Sequence, residues 1–181
     1  MSSILTYTGK WFDVLRPDPT LIDISDIAAA LSKLCRFGGH CKKFYSVAEH
    51  SITSSKWMGN RYQGNTPLRI WALLHDASEA YMVDIPRPVK RQLQEYVRLE
   101  DAIQHSIAVR FGLPWPMPEE VHIVDHDMLA MELRAYMPYQ PEHKLPSMPS
   151  TSVACDLASI TLTPDLAETA FHAEALSLGL K

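Results

Sequence analysis

Asn65-Thr66-Pro67-Leu68-Arg69-Ile70-Trp71-Ala72-Leu73-Leu74-His75-Asp76-Ala77-Ser78-Glu79 is the stretch whose reading decides the fold. Asn65 and Thr66 supply a capping residue, and Pro67 suits a first helical position because its missing N–H would have no partner there. From that start Leu68, Trp71, Ala72, His75 and Glu79 recur at i, i+3, i+4, i+7 and i+11, the period of one helical face. A polar pair on an otherwise apolar face needs a reason. His75 and Glu79 are four residues apart, so on a continuous helix their side chains lie one above the other, with Asp76 beside them.

The same period runs outward in both directions. Residues 24 to 35 place Ile24, Ile27, Ala28, Leu31, Leu34 and Cys35 on one stripe, with Ser25 or Asp23 as N-cap. Residues 46 to 58 form a weaker helix with Val47 and His50 inward. After the Asp84-Ile85-Pro86-Arg87-Pro88 turn, a long helix is predicted to about Phe111, with Val89, Leu93, Tyr96, Val97, Ile103 and Ile107 inward, stopped by Gly112 and Pro114. Pro118-Glu119-Glu120 opens another, acidic in its first turn, to about Tyr136. Residues 137 to 163 carry four prolines and read as a long loop; Thr163-Pro164 caps a last helix ending near Gly179. No strand pattern of comparable length competes. The prediction is a single all-α domain spanning 1–181.

Composition agrees. With 181 residues, 46% of them hydrophobic, the chain can bury roughly 70% of its unfolded surface in one core. Trp57, Trp71, Phe44 and Tyr45 are assigned to that core, or the tryptophans to an oligomer interface, and His122, His126 and His143 to solvent. A formal net charge of −4 gives no global basic field for duplex nucleic acid, and no apolar run is long enough for a membrane span. The three cysteines match neither a disulfide framework nor a zinc spacing, and charges at Lys10, Asp13, Arg16 and Asp18 replace a signal peptide's apolar stretch. The expected setting is the cytoplasm.

On the helix from Pro118, a 100° wheel gathers Val121, Val124, Asp125, Met128, Leu129, Glu132 and Tyr136 in one sector and puts Asp127 on the far side. A carboxylate in the core-facing sector needs a partner, either a cation shared with His75 and Asp76 or a buried arginine. His50, in Glu49-His50-Ser51, is the third candidate. His50, His75, Asp76 and Asp125 form a mixed nitrogen and oxygen set suited to Mn, Fe, Co, Ni or Zn. Glu79 and Asp84 remain as unligated acids, the pattern of a metal hydrolase.

At this point the chain resembles the HD-domain metal-dependent phosphohydrolases. It carries their H…HD…D order at His50, His75-Asp76 and Asp125. The strings Leu34-Cys35-Arg36-Phe37-Gly38-Gly39-His40, Phe44-Tyr45-Ser46-Val47-Ala48-Glu49-His50-Ser51, Leu74–Tyr81 and Asp84–Lys90 are similar to the bacterial and phage branch of 5′-deoxynucleotidases and deoxynucleotide triphosphohydrolases. The likeness covers residues 5 to 134. It implies a helical HD bundle in which His50, His75, Asp76 and Asp125 hold the metal. It further implies that Glu79 orients or deprotonates the attacking water and Asp84 protonates the leaving 5′-oxygen or positions the nucleophile. Arg36 would grip the substrate phosphate and Phe37 sit near the nucleoside. His40 either touches substrate or holds the Gly38-Gly39 turn. Both the wheel and the family's spacing to Leu129 and Glu132 select Asp125 over Asp127.

The implied substrate is a small deoxynucleotide. Lys42, Lys43, Arg87, Lys90 and Arg91 lean toward a dNTP, cleaved to deoxynucleoside and triphosphate, with dATP the one implied by the resemblance to phage enzymes; a dNMP 5′-nucleotidase is the alternative. A homo-oligomer is expected from the same likeness. A cyclic-nucleotide or alarmone phosphodiesterase and a non-catalytic nucleotide sensor are the competing classes. No phosphate-binding or dinucleotide glycine motif supports ATP-driven or NAD chemistry.

Overall fold

Asp23, rather than Ser25, caps the first helix: its carboxylate accepts from the Ser25 N–H at 2.9 Å. The computed structural model describes residues 2–149, 157 and 161–181. Among these, helices dominate, joined by one short hairpin. The hairpin pairs β1 (Ser3–Leu5) antiparallel to β2 (Trp11–Asp13), with Ile4 opposite Phe12. Phe12 is fully buried, so the hairpin is pinned to the helices by one aromatic anchor and by the Lys10–Asp23 ion pair at 3.0 Å.

The helices are α1 (Ile24–Leu31), α2 (Val47–Arg61), α3 (Thr66–Leu74), α4 (Glu79–Met82), α5 (Arg87–Lys90), α6 (Gln94–Arg110), α7 (Glu119–Tyr136) and α8 (Pro164–Ser177). The α2 helix is the hub and packs against α1, α3, α7 and α8. Its start is fixed by a reciprocal capping box. The Ser46 hydroxyl accepts from the Glu49 N–H at 3.1 Å, while the Glu49 carboxylate accepts from the Ser46 N–H at 2.9 Å. Two apolar clusters lie on either side of α2. Ile27, Leu31, Val47, Leu73, Leu74, Ile103, Ile107 and Phe171 fill one; Trp57, Met58, Trp71, Val121, Val124 and Met128 fill the other. Both tryptophans are therefore core, and so is Tyr45, whereas Phe44 is 37% exposed and leaves the core.

Three expectations are corrected. The helix from Thr66 does not continue through Glu79. It ends at Leu74, residues 75–78 form turns, and Glu79 begins the single-turn α4. His75 and Glu79 are thus not stacked on one helix face. The predicted long helix to Phe111 is split into α5 and α6 by residues 91–93, and Val89, Leu93 and Val97 are 51%, 41% and 43% exposed. Pro86 and Pro88 confine helix to a short turn there, and the inward face of α6 starts only at Ile103. The first helix stops at Leu31, so Leu34 and Cys35 sit beyond it and Cys35 bridges to Ser46.

His122, His126 and His143 are exposed, as expected. Within the Pro-rich stretch, residues 138–149 run without helix or strand; its remainder at 150–156 and 158–160 lies outside the described residues. No helix among the described residues is long and apolar enough to cross a membrane.

Candidate metal centre

Three chain segments meet at the start of α2. His50 comes from its first turn, His75 and Asp76 from the point where α3 ends, and Asp125 from the middle of α7. Stopping α3 at Leu74 is what aims the pair: His75 caps the helix, and its Nδ1 bonds the Ala72 carbonyl oxygen at 2.8 Å. That bond makes Nδ1 the donor and leaves the Nε2 lone pair facing His50. His50 is oriented in the same way, because its Nδ1 lies 2.6 Å from the Glu132 carboxylate.

The two Nε2 atoms are 3.1 Å apart. Asp76 Oδ2 lies 3.6 Å from His50 Nε2 and 3.4 Å from His75 Nε2; Asp125 Oδ1 lies 3.5 and 3.8 Å from the same atoms. The donor atoms of His50, His75 and Asp76 fall within 4.8 Å of one another. Ligands bound at about 2.0–2.2 Å to one divalent ion stand about 3.0–3.6 Å apart, so the spacing fits. The chemistry fits as well. Two imidazole lone pairs pointed at each other between carboxylates are stable only around a cation or a proton. In the metal-free protein it is a proton: burial and Arg36 would lower His50, but Glu132 and the bond to Asp125 outweigh them and push it up to about 9. Burial would raise Asp125, but the two histidines hold its carboxyl well below the usual range. The His50, His75 and Asp76 group can hold a metal ion, and Asp125 faces the same point.

Asp127, placed by the wheel on the far side, is instead buried. It accepts from Trp57 Nε1 at 3.2 Å and pairs with Arg61. The α7 helix is packed on both flanks, so a one-sided wheel misassigns the second aspartate. Of the two aspartates it is Asp125 that lies near both histidines, with Oδ1 at 3.5 and 3.8 Å from their Nε2 atoms. Asp125 also pairs with Arg87, whose Nη2 lies 2.7 Å from Oδ2, but that arginine is exposed and not the buried one considered from the sequence.

The sequence put Glu132 in the apolar sector of its helix without giving it a role, and in the structure it organises the floor of the site. Fully buried, it accepts from Arg36 Nε at 3.1 Å and Nη2 at 2.9 Å, from Tyr45 OH at 2.8 Å, and bonds His50. The signal was its place in the apolar sector of α7: a carboxylate there demands several donors. Arg36, expected on the substrate phosphate, spends two of its nitrogens on Glu132, and its Nη1 lies 3.5 Å from Asp76.

A cavity of about 640 Å³ opens over the cluster. Arg36, Phe37, His40, Glu79, Asp84 and Lys90 all line it with Asp76 and Asp125, closed by Ile85, Pro86, Leu129, Leu133 and Met137. Every catalytic and substrate-binding residue expected from the sequence therefore borders one space. Glu79 is buried, and its Oε2 has no hydrogen-bond partner among the described residues. Burial, then the Asp76 and Asp84 carboxylates, push its acid well above the ordinary range. Burial and then the Asp76 carboxylate raise Asp84 as well. Lys90 pairs with Glu100 at 2.5 Å, so a carboxylate already faces its ammonium group. Phe37 sits at φ 56°, ψ 28°, followed by Gly38 at φ 60° and Gly39 at φ 82°, a left-handed run that a phenylalanine adopts at a cost. The His40 N–H closes that turn on the Phe37 carbonyl at 3.2 Å, and His40 also lines the cavity.

No family model matches the chain. It is 42% identical over 134 residues to the uncharacterized protein YfdR of Escherichia coli strain K12, across 74% of this chain and 72% of that protein. It is 36% identical over 118 residues to an uncharacterized protein of Rhodobacter capsulatus, across 63% of this chain and 60% of that one.

Proposed function

The chain belongs to one family with YfdR of Escherichia coli, and from that premise we propose that it is an HD-domain phosphohydrolase that uses a divalent transition metal to cleave the 5′-phosphoester of a deoxynucleotide. A dNTP would give deoxynucleoside and triphosphate. The observation that carries this reading is the convergence of two histidines with Nδ1 committed elsewhere and two carboxylates under a cavity that also holds Glu79 and Asp84.

His50, His75, Asp76 and Asp125 would hold the ion, whose identity lies among Mn, Fe, Co, Ni and Zn for this ligand set. Once bound, such an ion supplies a Lewis acid toward a phosphoryl oxygen and acidifies water. Glu79 is suited to move the proton of the attacking water, since it borders the cavity and its buried Oε2 has no hydrogen-bond partner among the described residues. Asp84, raised by burial and Asp76, lines the same cavity and would protonate the departing 5′-oxygen. Arg36 keeps its charge through Glu132 and Asp76 and, with His40 and Lys90, presents donors to the phosphate. Phe37, Leu129, Leu133 and Met137 offer the apolar wall a nucleoside needs.

A second reading, a 5′-nucleotidase acting on dNMPs, is favoured by the charge pairing. Of the five basic residues expected beyond the α-phosphate, Arg87 and Lys90 line the cavity and both are already paired, while Lys42, Lys43 and Arg91 are not among its lining residues. Incubation of metal-loaded protein with each dNTP and dNMP, with a chelator control, separates the two. Chelator-sensitive release of deoxynucleoside and intact triphosphate is the expected result. Turnover of monophosphates alone selects the nucleotidase, and no turnover of either rejects both.

A further inference from the structure

At the edge of the cavity wall one residue has a backbone conformation that glycine alone adopts freely. Val83 ends α4 at φ 70° and ψ 159°, a region all but closed to a β-branched residue. Its side chain is 54% exposed, so packing does little to enforce those angles. Hydrogen bonds on both sides of the residue do so instead. The Val83 N–H donates to the Glu79 carbonyl at 2.8 Å, and the Val83 carbonyl accepts from the Tyr96 hydroxyl. The residues that follow, Asp84, Ile85, Pro86 and Arg87, all line the cavity. Residue 83 is thus the turn at which the chain leaves α4, which carries Glu79, and enters the wall that carries Asp84.

Tyr96 lies on the early part of α6, ahead of Ile103 where the buried face of that helix begins, and is not among the residues lining the cavity. Its ring centroid lies 5.9 Å from Lys90 Nζ, and Glu100, one turn further along the same face, pairs with that same ammonium group. The first turns of α6 therefore brace the wall at two points, Val83 and Lys90, although they bury little apolar surface of their own. We propose that Tyr96 is a positioning residue for the reaction: its hydroxyl pins the Val83 carbonyl, keeps residue 83 in its strained turn and so directs Asp84 into the space that Glu79 borders. Without that bond Val83 relaxes toward the ordinary negative φ, and the rotation swings the chain beyond it, Asp84 first. Tyr96 acts through the backbone and touches no reacting atom. The strain itself supplies the test. With Val83→Gly the same angles carry no steric penalty, so the turn depends far less on the hydroxyl.

The kinetic readout rests on the phosphohydrolase reading above; the backbone readout does not. The wild type, Tyr96→Phe, Val83→Gly and the double variant are compared as full chains, metal-loaded, with dATP and dAMP as substrates. Tyr96→Phe should lower kcat about 10–100-fold, with KM within about twofold and metal content unchanged. Removing the same hydroxyl when Val83→Gly is already in place should cost about threefold or less. Amide exchange at Val83 should quicken about tenfold in Tyr96→Phe, while exchange at Ile103 and Ile107 in the core stays the same. An unchanged kcat in Tyr96→Phe, an equal loss in both backgrounds, a loss that follows lost metal, or unchanged exchange at Val83 overturns the proposal. If the wild type turns over neither nucleotide, the nucleotide reading fails, and exchange at Val83 then decides alone whether Tyr96 holds the turn.

Discussion

At the residue scale, the two aspartates of α7 separate cleanly. Asp125→Ala removes a carboxylate facing both histidines and should abolish metal retention, read by elemental analysis after dialysis. Asp127→Ala should retain metal but melt earlier, since Arg61 and Trp57 lose a buried acceptor worth about 1–3 kcal/mol. The reverse pattern would move the ligand to Asp127. Glu132→Gln tests the floor of the site. Gln keeps the shape but no longer holds the Nδ1 proton of His50 or balances Arg36, so metal affinity should fall about 10–100-fold in a competition titration. Glu79→Gln is expected to bind metal and nucleotide normally while turnover drops about 10²–10⁴-fold. An active Glu79→Gln enzyme would exclude it from proton transfer.

At the scale of elements, ends matter more than middles. The α3 helix is short, opened by the Asn65 side chain, which accepts from the Leu68 N–H at 3.1 Å, and closed where His75 turns into the site. Asn65→Ala should cost about 1 kcal/mol, measured by chemical denaturation, with metal affinity unchanged because the site is built at the opposite end. Affinity falling with stability would mean that α3 moves as a unit. The break between α5 and α6 follows the same logic. Two prolines at 86 and 88 outweigh an apolar repeat, leaving Arg87 to reach Asp125 and Lys90 to line the cavity.

At the scale of the whole molecule, three helices and a turn meet at one charged point, so stability is linked to what fills it. The pKa of His50 stands at about 9 in the metal-free fold against 6.5 in a free histidine. Its contribution is thus fully present below pH 6.5 and lost as the pH rises through about 9. Chelator-treated protein should show a falling Tm across that window. Metal-loaded protein, with its imidazoles already committed, should show a flatter profile and a higher Tm. Parallel profiles for the two forms would argue that the cluster holds no ion.

The sequence by itself determined the helical class and the N-termini of α2, α3 and α8, because caps and apolar periods are local, and its quoted strings held Arg36, Phe37, His40, Glu79, Asp84 and Lys90 of the cavity wall but not Leu133 or Met137. The ends of helices depended on tertiary contacts. The chain leaves α3 at Leu74 where periodicity would continue, and there the His75 ring bonds back to the last turn and points its free nitrogen at His50. The burial of Asp127, the exposure of Val89, Leu93 and Val97, and the fourfold commitment of Glu132 were likewise decided only when elements distant in sequence came together. A helical wheel knows one axis, whereas burial and hydrogen bonding depend on every surface that packs against it.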